Sequence, residues 1–394
     1  MAETGGGEMP QGDTSARPPR TVLEQRIRER RQTFEEFAQF AEQFAVEHGE
    51  PGTLSARHLQ RLVSGRHPDG RPIGQVRPAT ARLLERIFGI SVDELLAVPV
   101  ASEAIVDSDR ELQLMLSVSR RVDGAVIRLL TEQLNAIRRL DRQLGAIVAY
   151  EEVKTKARQV ERLMSYSLSP VVRNQLAALL SELHTLAGWQ ALDVGSLSES
   201  WQHYETAKSA AAESGIPSFE THSLAEQAFV LLDIGRSGDA VDVLAYARTR
   251  TDDSCSRLVR AWLAAAHGEA LAAKSMRSES LCAFDEAEIL LPADSTSADG
   301  PYVVLDSIHL ARWRGHALAR FGDASAVDVL SGALDRLDPS FTRAATALHV
   351  DLATAFAVLG EHAEARIQAC RAVELADQIG SKRQKRRLRI FNGL

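Results

Sequence analysis

The feature that most constrains the fold is a repeated pattern that begins near residue 169 and runs almost to the end of the chain. Each unit consists of a first helix, a turn and a second helix, and the units recur roughly every 40 residues. The second helices open on a small residue, and a position four residues further on is usually large. The opening residues are Ser200, Ala240, Ser280, Ala326 and Ala365. The residues four positions on are Tyr204, Leu244, Phe284, Leu330 and Ala369. Small residues let paired helices approach closely, so the pattern predicts stacked helical hairpins.

The units resemble tetratricopeptide repeats, although their spacing exceeds the usual value of about 34 residues. Five units are visible, and a degenerate sixth could precede them. Aromatic residues make up only 5% of the chain, and few alternating runs of β-branched residues occur. We therefore predict an all-α fold, in which a small helix-turn-helix domain precedes a tetratricopeptide-like α-solenoid over residues 166–380.

Stacked hairpins curve into a superhelix whose first helices line a concave groove. The repeat register places nine residues in this groove, and we predict that they bind a ligand. They are Trp189, His222, Glu226, Phe229, Trp262, Glu269, His309, Arg312 and His316. Aromatic rings, imidazoles and a few charges suit a small organic molecule or a peptide. Packing between repeats explains any single one of them equally well.

A short amphipathic helix is predicted within residues 53–65, TLSARHLQRLVSG. Ser55 is a favourable N-cap, and Gly65 is a natural stop. Leu59 and Leu62 can anchor the helix inward. Its opposite face carries Arg57, Gln60, Arg61 and Ser64. A helix with an arginine-rich face fits the DNA major groove, where arginine pairs with guanine. An ordinary surface helix is the alternative.

The net charge of −7 would by itself argue against a nucleic-acid-binding protein. The charge is unevenly distributed, however. Residues 52–90 contain seven arginines but only Asp69 and Glu85 as acidic residues. A compact basic patch on an acidic protein can still contact phosphates.

The helices around this stretch complete a known pattern. Thr33 and Glu36 form a capping box at a helix start, and residues 89–96 read GISVDELL. Residues 20–98 resemble the XRE (lambda-repressor-like) helix-turn-helix domain. The resemblance implies that the first half of the short helix reads bases and that later arginines contact phosphates. The DNA-binding set is Ser55, Arg57, His58, Gln60, Arg61, Ser64, Arg66, Arg71 and Arg77.

Two features depart from that family. Phe34 stands where relatives usually have a polar residue that contacts DNA, and the connection between the second and third helices is longer than the family's tight turn. These departures concern the docking geometry on DNA.

Residues 99–165 are predicted to form a helical connection. A seam at spacings of three and four comprises Leu130, Leu134, Ile137, Leu140, Leu144 and Ile147. The seam favours either packing within the chain or a homodimer contact. Dimerisation would suit a protein that binds two half-sites one DNA turn apart.

The two ends have a distinct composition. Residues 1–19 are rich in Gly and Pro, and we expect them to be disordered. Residues 381–394 are strongly basic; a basic helix end is the simplest interpretation, and a contact with DNA or with an acidic partner is the alternative.

Several function classes lack support in the sequence. There is no phosphate-binding glycine loop, no nucleophile elbow and no His-Glu-x-x-His motif, so we expect neither an enzyme nor a metal or cofactor site. The three cysteines are scattered and are expected to be buried. No apolar run is long enough to span a membrane, and residues 1–20 lack a signal-peptide core, so we expect a cytoplasmic protein.

The helix-turn-helix domain of residues 20–98 is called the head here. The combination of this head and the solenoid resembles actinobacterial transcriptional regulators and, more distantly, peptide-responsive quorum-sensing regulators. It implies a sequence-specific regulator that binds operator DNA as a homodimer and responds to a small-molecule or peptide effector, or to a partner. Peptide-responsive relatives use groove asparagines, whereas Asn135, Asn174 and Asn392 lie outside the predicted groove. The alternative function is a protein-interaction scaffold whose head does not read DNA.

Overall fold

The computed structural model describes residues 19–65, 75–99, 101–251, 255–293 and 300–389; for residues 101–108 it describes the backbone only. Within these ranges every long element is an α-helix and there is no strand, which confirms the all-α prediction. The chain divides into two compact units, Met1–Leu112 and Gln113–Leu394. The expected disordered tail falls almost entirely outside the described residues.

The first unit contains five short helices and the beginning of a longer one. They are α1 (Val22–Glu29), α2 (Phe34–His48), α3 (Ala56–Ser64), α4 (Pro78–Phe88), α5 (Val92–Leu96) and α6 (Ala101–Ser119). Leu23, Phe37, Leu59, Leu83 and Leu95 are fully buried in its core. The apolar positions of each helix therefore converge on one small core, as their helical spacing requires.

The second unit is a solenoid of helical hairpins. The first hairpin is formed by α7 (Gly124–Leu144) and α8 (Ala146–Ser165), and the next by α9 (Pro170–Asp193) and α10 (Leu197–Ser214). Then follow α11 (Pro217–Glu226), α12 (Ala228–Asp233) and α13 (Ser237–Thr249), in which the first helix of the unit is broken at Gln227. The later helices are α14 (Arg257–Ala273), α15 (Arg277–Leu290), α16 (Ser307–Arg320), α17 (Ser325–Arg336), α18 (Thr342–Val358), α19 (His362–Gln378) and α20 (Lys382–Leu388). The solenoid thus consists of the five expected units, with the α7–α8 pair before them.

Glycines in the first helices explain the repeat pattern. A Cβ added at Gly188 would lie 2.9 Å from the ring of Tyr204, and one at Gly268 would lie 3.0 Å from the ring of Phe284. The small residue that opens the second helix adds a hydrogen bond, since the Ser200 hydroxyl donates to the Gly188 carbonyl at 2.7 Å. The large residue therefore fills a notch that only glycine leaves open.

The two ends of the solenoid meet. Helix α18 packs against α7, and α20 packs against α9. At the α7–α8 turn, Gly145 has a φ of 81°, and a Cβ there would collide with the carbonyl of Ile379 at the end of α19. Gly380 lies against Ile147 in the same region. The solenoid is therefore closed into a ring.

The α7–α8 hairpin divides the expected seam into two parts. Leu134 and Ile137 are buried in the core shared by α7, α8 and α9, so this half packs within the chain. Helix α7 ends at Leu144, and Leu144 and Ile147 are 46% and 66% exposed on two separate helices. The seam is not one continuous coiled-coil stripe, because Gly145 reverses the chain. The unit boundary at Leu112 also assigns most of the expected connection to the solenoid unit.

Two further details bear on the expectations. Cys255 is buried, but Cys282 and Cys370 are exposed, so the expectation of buried cysteines was wrong for two of the three. Among the described residues, no helix is both long and apolar enough to cross a membrane.

Candidate functional site

The inner side of the ring forms a cavity of about 520 Å³ that is partly open to solvent. All nine residues that the repeat register placed in the groove line this cavity: Trp189, His222, Glu226, Phe229, Trp262, Glu269, His309, Arg312 and His316. They come from the first helices of four consecutive hairpins, α9, α11–α12, α14 and α16. The register thus identified one continuous wall. That these residues bind a ligand stays a prediction.

Four aromatic rings form the apolar part of that wall. Phe229 lies at its centre, with ring centroids 6.0 Å from Trp189, 6.2 Å from Trp262 and 5.9 Å from Trp313. These edge-on and tilted arrangements are favourable for aromatic pairs. The cluster leaves aromatic surface facing the cavity, because Trp189 and Trp313 are only partly buried.

A neutral acid–base pair lies beside the rings. Burial lowers the pKa of His222 to about 4 and raises the pKa of Glu226 to about 8. The hydroxyl of Tyr204, 3.4 Å from Glu226 Oε2, opposes the rise by hydrogen bonding to the carboxylate. Near pH 7 the histidine is therefore uncharged and the glutamate is protonated, with 3.5 Å between His222 Nε2 and Glu226 Oε1.

A second polar cluster joins four helices of the ring. His316 Nδ1 on α16 lies 2.9 Å from Glu269 Oε2 on α14. Its Nε2 lies 3.4 Å from Arg387 on α20, and Arg387 is paired with Asp351 on α18. The cluster therefore binds the C-terminal helix to the cavity wall.

Where the two ends of the ring meet, further charged residues line the cavity. The repeat pattern in the sequence did not identify them as cavity residues. Arg343 on α18 donates two hydrogen bonds of 2.7 Å to Asp141 on α7, and its Nε lies 3.3 Å from Asp193 on α9. Burial alone would lower the pKa of Arg343, but these two carboxylates outweigh it and raise that pKa. Arg138 on α7 pairs with Glu182 on α9 in the same wall.

Of the basic residues 381–394, Lys382–Leu388 form helix α20, and this helix lines the cavity. Arg383 donates to both carboxylate oxygens of Asp233, at 2.7–3.0 Å, and its guanidinium lies 5.2 Å from the Trp189 ring centroid. The Ser381 hydroxyl donates to Asp193 at 2.6 Å. The basic residues thus meet acidic residues of their own chain. Residues 390–394 lie outside the described residues.

Residues 300–306, which precede α16, cover another side of the cavity. Tyr302 receives a hydrogen bond from Arg142 and lies under the guanidinium of Arg138, 4.0 Å from its ring centroid. Asp306 caps α16 and accepts a bond from the Nδ1 of His309 at 2.9 Å, which holds the pKa of Asp306 near 2. The repeat pattern gave no signal for this segment because it lies between helices.

The predicted DNA-contacting helix has the expected local structure. The Ser55 hydroxyl accepts a hydrogen bond from the backbone of His58 at 3.3 Å, and Gly65 ends α3 in the left-handed conformation. Leu59 and Leu62 are buried. The outward face presents Arg57 and Gln60, with Arg61 and Ser64 half-buried beside them. The Nε of Arg61 donates to the carbonyl of Arg57 at 3.2 Å.

The charges of this face are unpaired. No carboxylate among the described residues pairs with Arg57, Arg61 or Arg77, whereas Arg26 of α1 pairs with Glu29. Partial burial and the charges of Arg61 and Arg77 lower the pKa of His58, so these three groups are electrostatic neighbours. Arg66 and Arg71 lie outside the described residues.

The two departures from the helix-turn-helix pattern have structural reasons. Phe34 packs against the core of the head, so its ring stabilises this unit. The residues between α2 and α3 include Gly52, where a Cβ would lie 2.8 Å from the carbonyl of Ala79 on α4. The longer connection therefore packs closely against the start of α4.

Among the described residues, no group of three or more histidine, cysteine, aspartate or glutamate side chains is arranged to hold a metal ion. No family model matches the chain, and no curated protein matches it.

Solved structures with helical repeats are similar to it. One is a Rap protein complexed with competence and sporulation factor, which is 12% identical, with 91% of this chain and 97% of that chain covered and a TM-score of 0.45. Another holds nearly identical TPR-like repeats of a kinesin light chain-like protein from Podosopora anserina, which is 16% identical, with 49% of this chain and 92% of that chain covered and a TM-score of 0.34.

Proposed function

We propose that this protein is a sequence-specific DNA-binding transcriptional regulator, in which α3 reads bases in the major groove. The observation that carries the proposal is the face formed by Arg57, Gln60 and Arg61 on a capped helix anchored by Leu59 and Leu62. A guanidinium group without a carboxylate partner can pair with guanine or phosphate, because no existing ion pair has to be broken first.

The supporting electrostatics are local. Arg61 and Arg77 both lower the pKa of His58, so both lie near this side chain although 16 positions separate them in sequence. A cluster of this kind raises the local concentration of a polyanion despite the net charge of −7. The resemblance of residues 20–98 to XRE domains agrees with this assignment. Ser55, Arg66, Arg71 and Arg77 would then contact the phosphate backbone.

We further propose that the cavity of the solenoid is the effector site. Its lining comes from helices at both ends of the ring, including Asp141 of α7 and Arg383 of α20. A molecule bound there contacts both sides of the closure, so it can bind the closed ring and a more open one with different affinities. Only such a difference lets a ligand shift a conformational equilibrium and change DNA binding.

We also propose that the protein acts in the cytoplasm as a homodimer, since helix-turn-helix proteins commonly contact two half-sites. The exposed apolar residues Leu140, Leu144 and Ile147 are available for such a contact.

The proposal is tested by selecting duplexes from a random library with the full-length protein. We expect one enriched motif, and Arg61→Ala should weaken binding to it by about 1–3 kcal/mol and relax the preference at one position. Arg26→Ala, which removes an exposed arginine from α1, is the matched control and should bind normally.

Two outcomes would contradict the assignment of α3. One is no enrichment by the wild-type protein, which would favour the scaffold function. The other is equal binding by wild type and Arg61→Ala.

A further inference from the structure

The charges that line the cavity are not balanced. The lining contains eight arginines and six carboxyl groups. Five of these carboxylates are each held by an arginine or a histidine of the lining. The pairs are Asp141–Arg343, Glu182–Arg138, Asp233–Arg383, Glu269–His316 and Asp351–Arg387. The sixth, Glu226, is protonated near pH 7 because burial raises its pKa to about 8. Positive charge is therefore in excess.

Arg312 on α16 is the clearest unbalanced cation. Its Nε is buried and has no hydrogen-bond partner, and no described carboxylate forms an ion pair with it. Burial lowers the pKa of Arg312, and the more distant charges of Asp351 and Glu269 do not offset this effect. Arg343 and Arg383 behave in the opposite way, because carboxylates in direct contact raise their pKa values.

Arg312 is half-buried, and a guanidinium whose Nε is shielded from solvent without a hydrogen-bond partner is unfavourable, since desolvation is not compensated. A bound anion would supply the missing partner, and the planar guanidinium binds a carboxylate through two parallel hydrogen bonds. Arg312 also lies next to the aromatic wall, with its guanidinium carbon 5.9 Å from the ring centroid of Trp313. The anion site and the aromatic surface are therefore adjacent.

We propose that the cavity binds a small aromatic carboxylate, with its carboxylate on Arg312 and its ring among Trp262, Trp313 and Phe229. This assignment rests on the proposed role of the cavity as the effector site. A volume of about 520 Å³ is suited to a compact organic molecule. Beside Trp262, the protonated Glu226 and the uncharged His222 add no charge next to the proposed position of the ring, which suits an apolar group.

A monocarboxylate fits the charges better than a phosphate. Two carboxylates, Glu269 and Asp351, and two guanidiniums, Arg387 and Arg383, act on Arg312. Their charges balance in number, so the single positive charge of Arg312 is matched by a monoanion. A carboxylate and a phosphate can both accept hydrogen bonds from a guanidinium, so the experiment includes both kinds of anion.

The probes are 1-naphthylacetate, indole-3-acetate and benzoate, titrated into the full-length protein by calorimetry at pH 7. Neutral 1-naphthylacetamide and the dianion 1-naphthyl phosphate are the matched ligands. We expect at least one carboxylate to bind, its amide to bind much more weakly, and 1-naphthyl phosphate to bind less tightly than 1-naphthylacetate. Arg312→Gln should weaken carboxylate binding roughly 10- to 100-fold, as expected for charge-assisted hydrogen bonds.

Arg336→Gln is the control variant, because Arg336 is exposed on α17 and donates only to the carbonyl of Gly332. It should bind the carboxylate like wild type. Thermal melting separates a ligand role from a structural one: removing a cation whose Nε is shielded and has no partner should leave the melting temperature unchanged or raise it. A lower melting temperature of Arg312→Gln would assign Arg312 to the structure of the ring and overturn the proposal.

Other results would also overturn it. These are no binding of the three carboxylates at millimolar concentration, equal binding of acid and amide, tighter binding of the phosphate, or equal binding by wild type and Arg312→Gln. Failure here is distinguishable from failure of the DNA-binding proposal, because duplex selection by wild type and Arg61→Ala is performed without any carboxylate.

Discussion

The ion pairs that close the ring should contribute strongly to its stability, and Arg343→Met is the sharpest perturbation of them. Arg343 connects α18 to both α7 and α9. Its side chain is 12% exposed, and those of Asp141 and Asp193 are 4% and 2% exposed. Removing the guanidinium leaves two buried carboxylates without their cation. Each keeps only one neutral donor described in the structure, Gln190 for Asp141 and Ser381 for Asp193.

Breaking a buried ion pair by removing one partner typically costs about 3–5 kcal/mol. We expect a loss of this size in the free energy of unfolding of the solenoid unit. The exposed pair Arg236–Asp239 is the matched control, with side chains 64% and 42% exposed. Arg236→Met should cost no more than about 1 kcal/mol, because exposed pairs are well screened. Adding Asp141→Asn to Arg343→Met should recover part of the loss, since it removes one of the stranded charges.

Urea unfolding followed by tryptophan fluorescence measures these differences. All four tryptophans, at positions 189, 201, 262 and 313, lie in the solenoid unit, so their emission reports its unfolding alone. The midpoint should fall clearly in Arg343→Met and scarcely in Arg236→Met. A loss below about 1 kcal/mol for Arg343→Met, or an equal loss in both variants, would refute the role of these ion pairs in closing the ring.

Two more predictions concern the cavity wall and the helix pairs. The pKa of Glu226 is raised from 4.5 to about 8, so the folded state retains a proton that the unfolded state loses, and this carboxyl destabilises the fold as pH rises from 4.5 through 8. Glu226→Gln should therefore gain about 3–4 kcal/mol relative to wild type between pH 5 and pH 8 in urea unfolding, and a constant difference would contradict the raised pKa. Gly315→Ala should destabilise the solenoid by about 1–3 kcal/mol, because its Cβ would lie 2.6 Å from Leu330. Gly332→Ala, in open space on α17, should stabilise it by about 0.5–1 kcal/mol; equal effects of the two substitutions in thermal melts would contradict the close packing.

The sequence predicted the helix pairs because the repeat places small and large residues at fixed positions. The same register identified the nine cavity residues, since first helices of adjacent repeats face the same side. It did not predict how far the superhelix would turn. Contacts such as Arg343–Asp141 join positions 202 residues apart, and no local pattern encodes such pairs.

The contacts of the C-terminal helix could not be predicted from local sequence patterns either. Arg383 and Arg387 are four positions apart on one helix face, and this spacing alone is typical of an exposed basic helix. Their partners Asp233 and Asp351 belong to distant repeats, so only the closed ring reveals that the helix lies in the groove. The structure buries Gln384 and Leu388, which lie four positions apart on this helix, but only Leu388 is apolar, so the sequence showed no apolar stripe here.

The position of α3 could be predicted because helix caps and apolar spacing depend on residues that are close in sequence. The caps at Ser55 and Gly65 and the buried Leu59 and Leu62 follow directly from residue types and spacing.

The most direct test of the central claim, that the arginine face of α3 reads DNA, is genome-wide mapping of DNA bound by the protein in its own cells. Wild type is compared with the double variant Arg57→Ala/Arg61→Ala, and Arg26→Ala serves as control. We predict a limited set of sites that share one motif in wild type and in the control, and their loss in the double variant. Sites retained by the double variant, or no enriched sites for the wild-type protein, would contradict the claim.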